Sequence, residues 1–546
     1  MTNSLPPELY YLSNFRVALA WVAGRYGDLL APEEQAFIEQ FSTSPVPSQA
    51  LLVRMVMRKG VHFRQSKLNY AEIGDTRSAA RLLLDSGWIT EQAPLHGPEL
   101  ADLLTKDELL AHAPLNDRRT SQKKSDVRDQ LLAIEHPDQP FSSWCPTLYD
   151  RLYSLQIAEL CDRLRLMFFG NLSQDWTEFV LADLGIYRYE QVAISPESRG
   201  FQSRQDIDDY IHLRNYRLLL EAGEPLNEWL PELLAFETTN PYLRSRQSKL
   251  LFQIGQQLEK LSELELALSL YQVCGYGQAR WRLIRVLEAL QRFDEAHEHA
   301  LSFSQQPHDD EEIQRLERAL TRLQRKLGIP AKKRASAFKE QRFDLQLPPS
   351  EHCVEIAVRE HLQQDDAPVY YVENTLICSL FGLLCWDVIF APLPGAFFHP
   401  FHSGPVDLYS PEFYQRRAEL FEHSLRRLDS NDYKDLIRQR YQDKFGIQSP
   451  FVFWSVLDET LLELALECIP AAHLAACFQR MLHNLKANRS GMPDLIQFYP
   501  TEQRYRMIEV KGPGDRLQDN QKRWLAFAAE HGMTVDVCYV TWAAEE

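Results

Sequence analysis

Near the C-terminal end of the chain, Asp494, Glu509 and Lys511 fall within the segment GMPDLIQFYPTEQRYRMIEVKGPG. The two-residue spacing of Glu509 and Lys511 projects both from one face of a strand, because successive side chains alternate. LeuIleGlnPhe (495–498) and TyrArgMetIleGluVal (505–510) read as two strands joined by the turn-like YPTEQ. That hairpin sets Asp494 beside them, so two carboxylates and an ammonium converge. Phosphodiester hydrolysis asks for this set. Hard Mg²⁺ or Mn²⁺ ions prefer carboxylate, carbonyl and water oxygens. Asp494 and Glu509 are the expected ligands, with the Val510 carbonyl as a third. Lys511 would position or help deprotonate the attacking water and stabilise the charge that develops. A hairpin with ordinary surface charges would also carry an ExK triplet. The Pro-Asp pair, a strand-length spacer, ExK and a following glutamine-bearing helix coincide far less often, and together they favour metal-dependent hydrolysis.

The flanking elements must hold that hairpin. GlyProGly (512–514) ends the second strand, RLQDNQKRWLAFAAEH (516–531) forms an amphipathic helix, and ThrValAspValCysTyrVal (534–540) returns as a strand. This β-β-α-β order predicts a central sheet flanked by helices. Upstream, VYYVENTLICSLFGLLCWDVIF (369–390) contains just two acids, Glu373 and Asp387. On a helix Glu373, Ile377, Leu380 and Leu384 share one face. There Glu373 is either a solvated first-turn acid favoured by the helix dipole or a buried carboxylate that needs a partner. If it joins Asp494 and Glu509, there is enough negative charge for two ions.

The rest of the chain reads as helical modules, giving a multidomain, mostly α protein with a C-terminal α/β domain. Residues 1–95 suggest a winged-helix-like unit. Its segment LLVRMVMRKGVHFR (51–64) carries Arg54, Arg58, Lys59 and Arg64, which suit either the solvated side of a core helix or a phosphate-facing surface. In 96–147, LLTKDELLAHA (103–113) and KKSDVRDQLLA (123–133) are two short helices resembling a SAP-type DNA-binding unit, with Lys123 and Lys124 opening the second. Residues 148–330 are almost continuously helical. RSRQSKLLFQIGQQLEKLSELELALSLYQ (244–272) and QARWRLIRVLEALQRFDEAHEHALSF (278–303) are helix pairs near the tetratricopeptide period, with Ala267 and Ala296 in corresponding positions. A basic run between 315 and 342, including Lys332, Lys333 and Arg334, suits a charged linker at 331–350 or a DNA-backbone contact. The catalytic domain is then 351–546.

Composition limits the alternatives. The chain has 546 residues, 45% hydrophobic and 25% charged, with a formal charge of −17. That balance excludes a protein coating nucleic acid indiscriminately, but not an enzyme with local basic patches. Nine scattered cysteines form no CxxC pair, so neither disulfides nor a zinc module is expected and a reducing cytoplasm is. No apolar run is long enough for a membrane span, and the N-terminal residues lack the pattern of a secretory signal. HisProPheHis (399–402) reads as an aromatic turn rather than a metal pair, and GlyTyrGly (275–277) as a helix-pair turn. Trp21, Phe63 and Trp88 are expected in cores.

GMPDL, IEVKGPGDRL and the helix bearing Gln521 resemble the VRR-NUC branch of the PD-(D/E)xK nucleases. The upstream ENTL…LFGLLCWDVIF narrows the likeness to the Fanconi-associated nuclease family, in a bacterial-type form. YYLSNFRVAL and LLVRMVMRKGVHFRQSKLNYAEI resemble its N-terminal DNA-binding segment, which adds Lys67 to the phosphate candidates. NPYLRSRQSKLL resembles its helical repeats. The resemblance implies a structure-specific endonuclease that cuts near 5′ flaps of branched double-stranded DNA, degrades 5′ to 3′ and serves interstrand cross-link unhooking. It implies metal-binding acids at Glu373, Asp494 and Glu509, the lysine at Lys511, the helix glutamine at Gln521 and a phosphate contact at Arg516. No ubiquitin-binding finger is expected, and a monomer is favoured. Two other readings compete: a Holliday-junction-type resolvase, which needs a dimer, and a catalytically inactive junction adaptor.

Overall fold

The computed structural model describes residues 6–115, 118, 120–133, 137–174, 176, 187–330 and 339–543. It divides into two compact units, Met1–Tyr187 with Ser195–Ile207, and Arg188–Ile194 with Asp208–Glu546.

In the first unit, α1 (Tyr10–Tyr26), α2 (Pro32–Thr43) and α3 (Val46–Val56) precede the strand β1 (His62–Arg64). α1 buries Tyr11, Leu12, Phe15, Ala18, Leu19 and Val22, a helical stripe. α3 buries Ala50 through Val53 and Met55, nearly its whole circumference, as a core helix does. Asp75 caps α4 (Thr76–Asp85) by accepting from the Arg77 N–H, and β2 (Ile89–Thr90) follows. The sheet has the order β1-β3-β2, in which β3 (Leu152–Leu155) comes from beyond the next module. The boundary expected at 147/148 is therefore wrong for this unit, because β3 is the central strand of its sheet. Phe63 and Trp88 are buried as expected, Trp88 with its ring 5.0 Å from that of Phe37.

Between β2 and β3 lie α5 (Gly97–Leu103), α6 (Lys106–His112) and α7 (Lys124–Ala133), packed through Leu100, Leu109, Val127 and Leu131. Thr105 and Glu108 form a capping box on α6, the Thr105 N–H donating to Glu108 Oε2 at 2.8 Å.

The structure commits two of the expected phosphate contacts to ion pairs. Arg64 is buried and donates to both oxygens of Glu108 at 2.7 Å and to Asp150 Oδ2 at 2.8 Å. Arg54 pairs with Glu72 at 2.5 Å and lies over the Tyr11 ring. Arg64 ends the edge strand β1 and is 5% exposed, its charge met by two acids in place of solvent. Arg64 hydrogen bonds hold the Glu108 carboxyl down at about 2, from an ordinary 4.5. A depressed carboxylate pKa adds stability that is fully present above 4.5 and is lost as pH falls through 2. Arg64→Ala should therefore destabilise this unit by about 3 kcal/mol and flatten its acid limb, read as thermal midpoints from pH 7 downwards. Arg58 is exposed, and Arg58→Ala should leave the midpoint alone.

In the second unit five helices alternate: α8 (Pro241–Lys260), α9 (Leu264–Val273), α10 (Ala279–Ala289), α11 (Phe293–Gln305) and α12 (Asp310–Leu327). Ala267 on α9 and Ala296 on α11 are fully buried at matching positions. Three arginines of the basic run are spent on ion pairs, Arg315 with Glu311, Arg318 with Asp519 and Arg322 with Glu288. Gly328, left-handed at φ 69°, ends α12. Lys332, Lys333 and Arg334 lie outside the described residues. The second half of the expected linker is a strand, β4 (Arg342–Leu347), because its alternating RFDLQL can pair along a sheet edge.

That sheet has five strands in the order β4-β8-β7-β6-β5. Its members are β5 (Val369–Tyr371), β6 (Leu495–Tyr499), β7 (Arg504–Lys511) and β8 (Val535–Trp542), with β4, β8 and β7 parallel and β6 antiparallel to both its neighbours. One face packs Leu495, Ile508, Val510 and Cys538 against α13 (Val354–Leu362). The other packs Ile496, Phe498, Tyr505 and Val537 against α14 (Leu376–Leu384), α15 (Glu459–Cys468), α16 (Ala471–His483) and α17 (Asp519–Glu530). No single helix among the described residues is long and apolar enough to cross a membrane. The bent pair α15–α16 has the composition but lines this core. All nine cysteines are free. His399 and His402 stack at 3.9 Å inside an aromatic turn, as its sequence predicted.

Candidate active site

The register of β6 and β7 pairs Leu495 with Ile508. Continued one residue past the strand end, it sets Asp494 opposite Glu509. Ile508 and Val510 face the α13 layer, so Glu509 and Lys511 point to the other side, shared with Ile496 and hence with Asp494. The three groups predicted to converge are all buried there, with Asp494 6%, Glu509 0% and Lys511 7% exposed. Such burial of three ionisable side chains has a cost, and a core built only for stability would not carry it.

The partners are sparse. Asp494 Oδ2 accepts the Val510 N–H at 2.8 Å, which ties the first acid to the strand of the second. Lys511 Nζ stands 2.6 Å from Glu509 Oε1 as a charge pair. Neither carboxylate oxygen of Glu509 has an aligned hydrogen bond. Burial raises the pKa of both acids; the Val510 N–H and Lys511 oppose it at Asp494 while Glu373 and Glu355 add to it, and at Glu509 the charges of Asp494 and Glu373 add to it against Lys511. Two acids that resist being charged together are what a divalent cation relieves, and the oxygen-only donor set suits a hard ion. Among the described residues no three His, Cys, Asp or Glu side chains already close into an ion cage. The pair Asp494–Glu509 is the nucleus of a site, and a third acid must be brought to it.

Glu373 is the further acid whose charge is felt at both Asp494 and Glu509. Its placement differs from the sequence expectation. It does not ride on the helix with Ile377 and Leu380; α14 begins at Leu376, and Glu373 occupies the turn between β5 and α14. β-branched Val369 and the tyrosines favour strand, and that strand pairs with β6, ending the chain's extended path beside Asp494. Tyr371 O–H donates to Glu373 Oε2 at 2.7 Å and Asn374 Nδ2 to Oε1 at 3.1 Å.

Gln521 lies in the first turn of α17, where its side-chain oxygen accepts the Gln518 N–H at 2.8 Å and caps the helix. Gly491, at φ 88°, lets the loop before Asp494 approach Asn520; a Cβ there would lie 2.8 Å from its side chain. Trp524 Nε1 donates to the Ser490 carbonyl at 3.1 Å, so α17 and that loop hold one another. Arg516 is exposed after the β7 strand, and Arg58, Lys59, Lys67, Lys123 and Lys124 are exposed in the first unit. Sequence reasoning missed Tyr371, Asn374 and Glu355, the last on α13 with its charge felt at Asp494. Asn is favoured in left-handed turns, and its place between a strand and an apolar helix was the available signal for Asn374.

Comparison with known proteins gives the family. Residues 9–90 match a family model described as the FAN1 HTH domain, 94–144 one for the Fanconi anemia-associated nuclease SAP domain, and 429–542 the VRR-NUC domain. A Fanconi-associated nuclease 1 homolog of Pseudomonas aeruginosa is 54% identical over 545 residues, covering 100% of this chain and 98% of that protein. A homolog from Arabidopsis thaliana is 25% identical, covering 98% of this chain and 67% of its own length. Crystal structures of paFAN1 bound to 2-nt and 1-nt 5′-flap DNA with a gap superpose with TM-scores of 0.89 and 0.87, each at 54% identity. They cover 100% and 98% of this chain and the whole of each of those chains.

Proposed function

This chain belongs to the Fanconi-associated nuclease family, and from that premise we propose that it is a structure-specific DNA endonuclease cutting near 5′ flaps. It also degrades 5′ to 3′ and acts in interstrand cross-link repair in the bacterial cytoplasm. The observation that carries the chemistry is Glu509, fully buried without an aligned hydrogen-bond partner beside Asp494 and Lys511.

A VRR-NUC domain implies dependence on a divalent metal. Asp494 and Glu509 would hold the ion, with the Val510 carbonyl and Glu373 completing the donor set; Mg²⁺ or Mn²⁺, as two ions, fits four oxygen donors of this charge. The ion supplies Lewis acidity at the phosphate and a more acidic attacking water. Lys511 stands where it can orient that water and meet the charge on the phosphorane-like oxygens. Gln521 supports the site by capping α17, which braces the Asp494 loop. Arg58, Lys59, Lys67, Lys123, Lys124 and Arg516 grip the phosphates of the branched duplex, and Arg54 and Arg64 hold the scaffold of the first unit. A single protomer carries the whole set.

The test is a 5′-flap duplex labelled on the flap strand, incubated with Mg²⁺, with Mn²⁺ and with chelator. Incision near the junction that chelator abolishes is the expected result. Binding without incision under every condition would turn the reading to the inactive adaptor, and paired symmetric cuts in a four-way junction by a dimer would turn it to the resolvase.

A further inference from the structure

Val372–Thr375 forms a tight turn closed by the Thr375 N–H to the Val372 carbonyl at 2.9 Å. Its third residue, Asn374, has φ 55°, in the left-handed region. Glycine would satisfy that backbone without strain, so the amide side chain has to be explained by what it touches. Asn374 Nδ2 donates to Glu373 Oε1 at 3.1 Å, and Asn374 Oδ1 accepts the Met492 N–H at 3.0 Å. One amide thus joins Glu373 to the loop that carries Asp494, a segment more than a hundred residues away in sequence. The neighbouring main chain runs alongside, with the Val372 N–H donating to the Asp494 carbonyl at 2.8 Å. Tyr371 holds the second oxygen of Glu373 from the last position of β5.

We infer that Asn374 is a positioning residue for the ion site, its amide fixing the Glu373 carboxylate relative to the Asp494 loop before the ion arrives. The inference rests on Glu373 being a metal ligand, as proposed above. Groups that orient a ligating carboxylate act on ion affinity more than on chemistry at saturation, and losing one costs about tenfold to a hundredfold in affinity. Asn374 touches no reacting atom. Its effect on the ion passes through the placement of Glu373 relative to the Asp494 loop, and a cycle with Glu373→Ala separates that from a general loosening of the turn.

The experiment compares the full-length wild type, Asn374→Gly, Glu373→Ala and the double variant. Mn²⁺ binding is measured by titration calorimetry without DNA, and flap cleavage as a function of Mn²⁺ concentration. Asn374→Gly should weaken Mn²⁺ binding about tenfold and raise the half-saturating Mn²⁺ by the same factor, with little change in the saturated rate. In the Glu373→Ala background the same substitution should cost nothing further, because the two act as a unit. Should the glycine variant fail to fold, Asn374→Ser, too short to reach Glu373 and Met492 together, carries the same cycle. Unchanged Mn²⁺ affinity in Asn374→Gly, or an equal loss with and without Glu373, overturns the inference while leaving the ligand set intact. A Glu373→Ala protein that binds Mn²⁺ like wild type overturns the ligand assignment itself, and the inference with it.

Discussion

Asp494→Ala protein should bind a 5′-flap duplex as the wild type does and cut it slower by about a thousandfold or more, at every Mg²⁺ or Mn²⁺ concentration. Asp494 is one of two buried acids on the same face of the β6–β7 hairpin. It is also the one whose carboxylate is anchored, through the Val510 N–H, to the strand carrying Glu509. Alanine removes a donor oxygen and frees that amide together. Glu509, already paired with Lys511, is then left with Glu373 as the other acid of the set, too little charge to hold the ion as before. DNA binding should survive because the exposed lysines and arginines proposed to grip phosphates lie elsewhere. The measurement is a single-turnover cleavage series beside a binding titration in chelator. Cleavage within about tenfold of wild type would remove Asp494 from the ion site; binding lost in parallel would mean that its role is in folding or in gripping DNA.

The β6–β7 hairpin was legible because each of its signals is local. Strand alternation fixes the common face of Glu509 and Lys511, the YPTEQ turn fixes the register, and GlyProGly ends β7 where the reading placed it. The helix repeats were legible for the same reason, with Ala267 and Ala296 marking their period. What escaped depends on partners far away in the chain. Glu373 sits on an apolar run whose periodicity suits a helix, yet β6 supplies a pairing edge that converts Val369–Tyr371 into strand and pushes the helix start to Leu376. Arg64 looks like any arginine in a basic segment until Glu108 and Asp150 close on it from another module. β4 was hidden inside a charged linker, since an edge strand tolerates the polar Arg342, Asp344 and Gln346 on its outward positions. Periodicity reads one element at a time. Ion pairs, strand partners and the turn of Asn374 are decided between elements.

Lys511→Ala should lose about a hundredfold or more of the saturated cleavage rate while Mn²⁺ affinity, measured calorimetrically, changes far less. Lys511 is placed by β7, two residues past Glu509 on the same face, with its ammonium 2.6 Å from Glu509 Oε1 and 7% of the residue exposed. A cation so placed repels a divalent ion in the ground state and at the same time favours the charged forms of Asp494 and Glu509. Those two effects on ion binding oppose one another, so its removal leaves affinity nearly balanced. No such balance exists in the transition state, where the phosphate gains negative charge and the lysine has only a favourable part. Lys511→Arg should not restore the rate, because a planar guanidinium on a longer stem cannot put a compact charge at the same buried point. A loss of Mn²⁺ affinity as large as the loss of rate would assign Lys511 to building the ion site rather than to the chemistry. Full activity in the arginine variant would show that net charge at this end of β7 suffices and that its position does not matter.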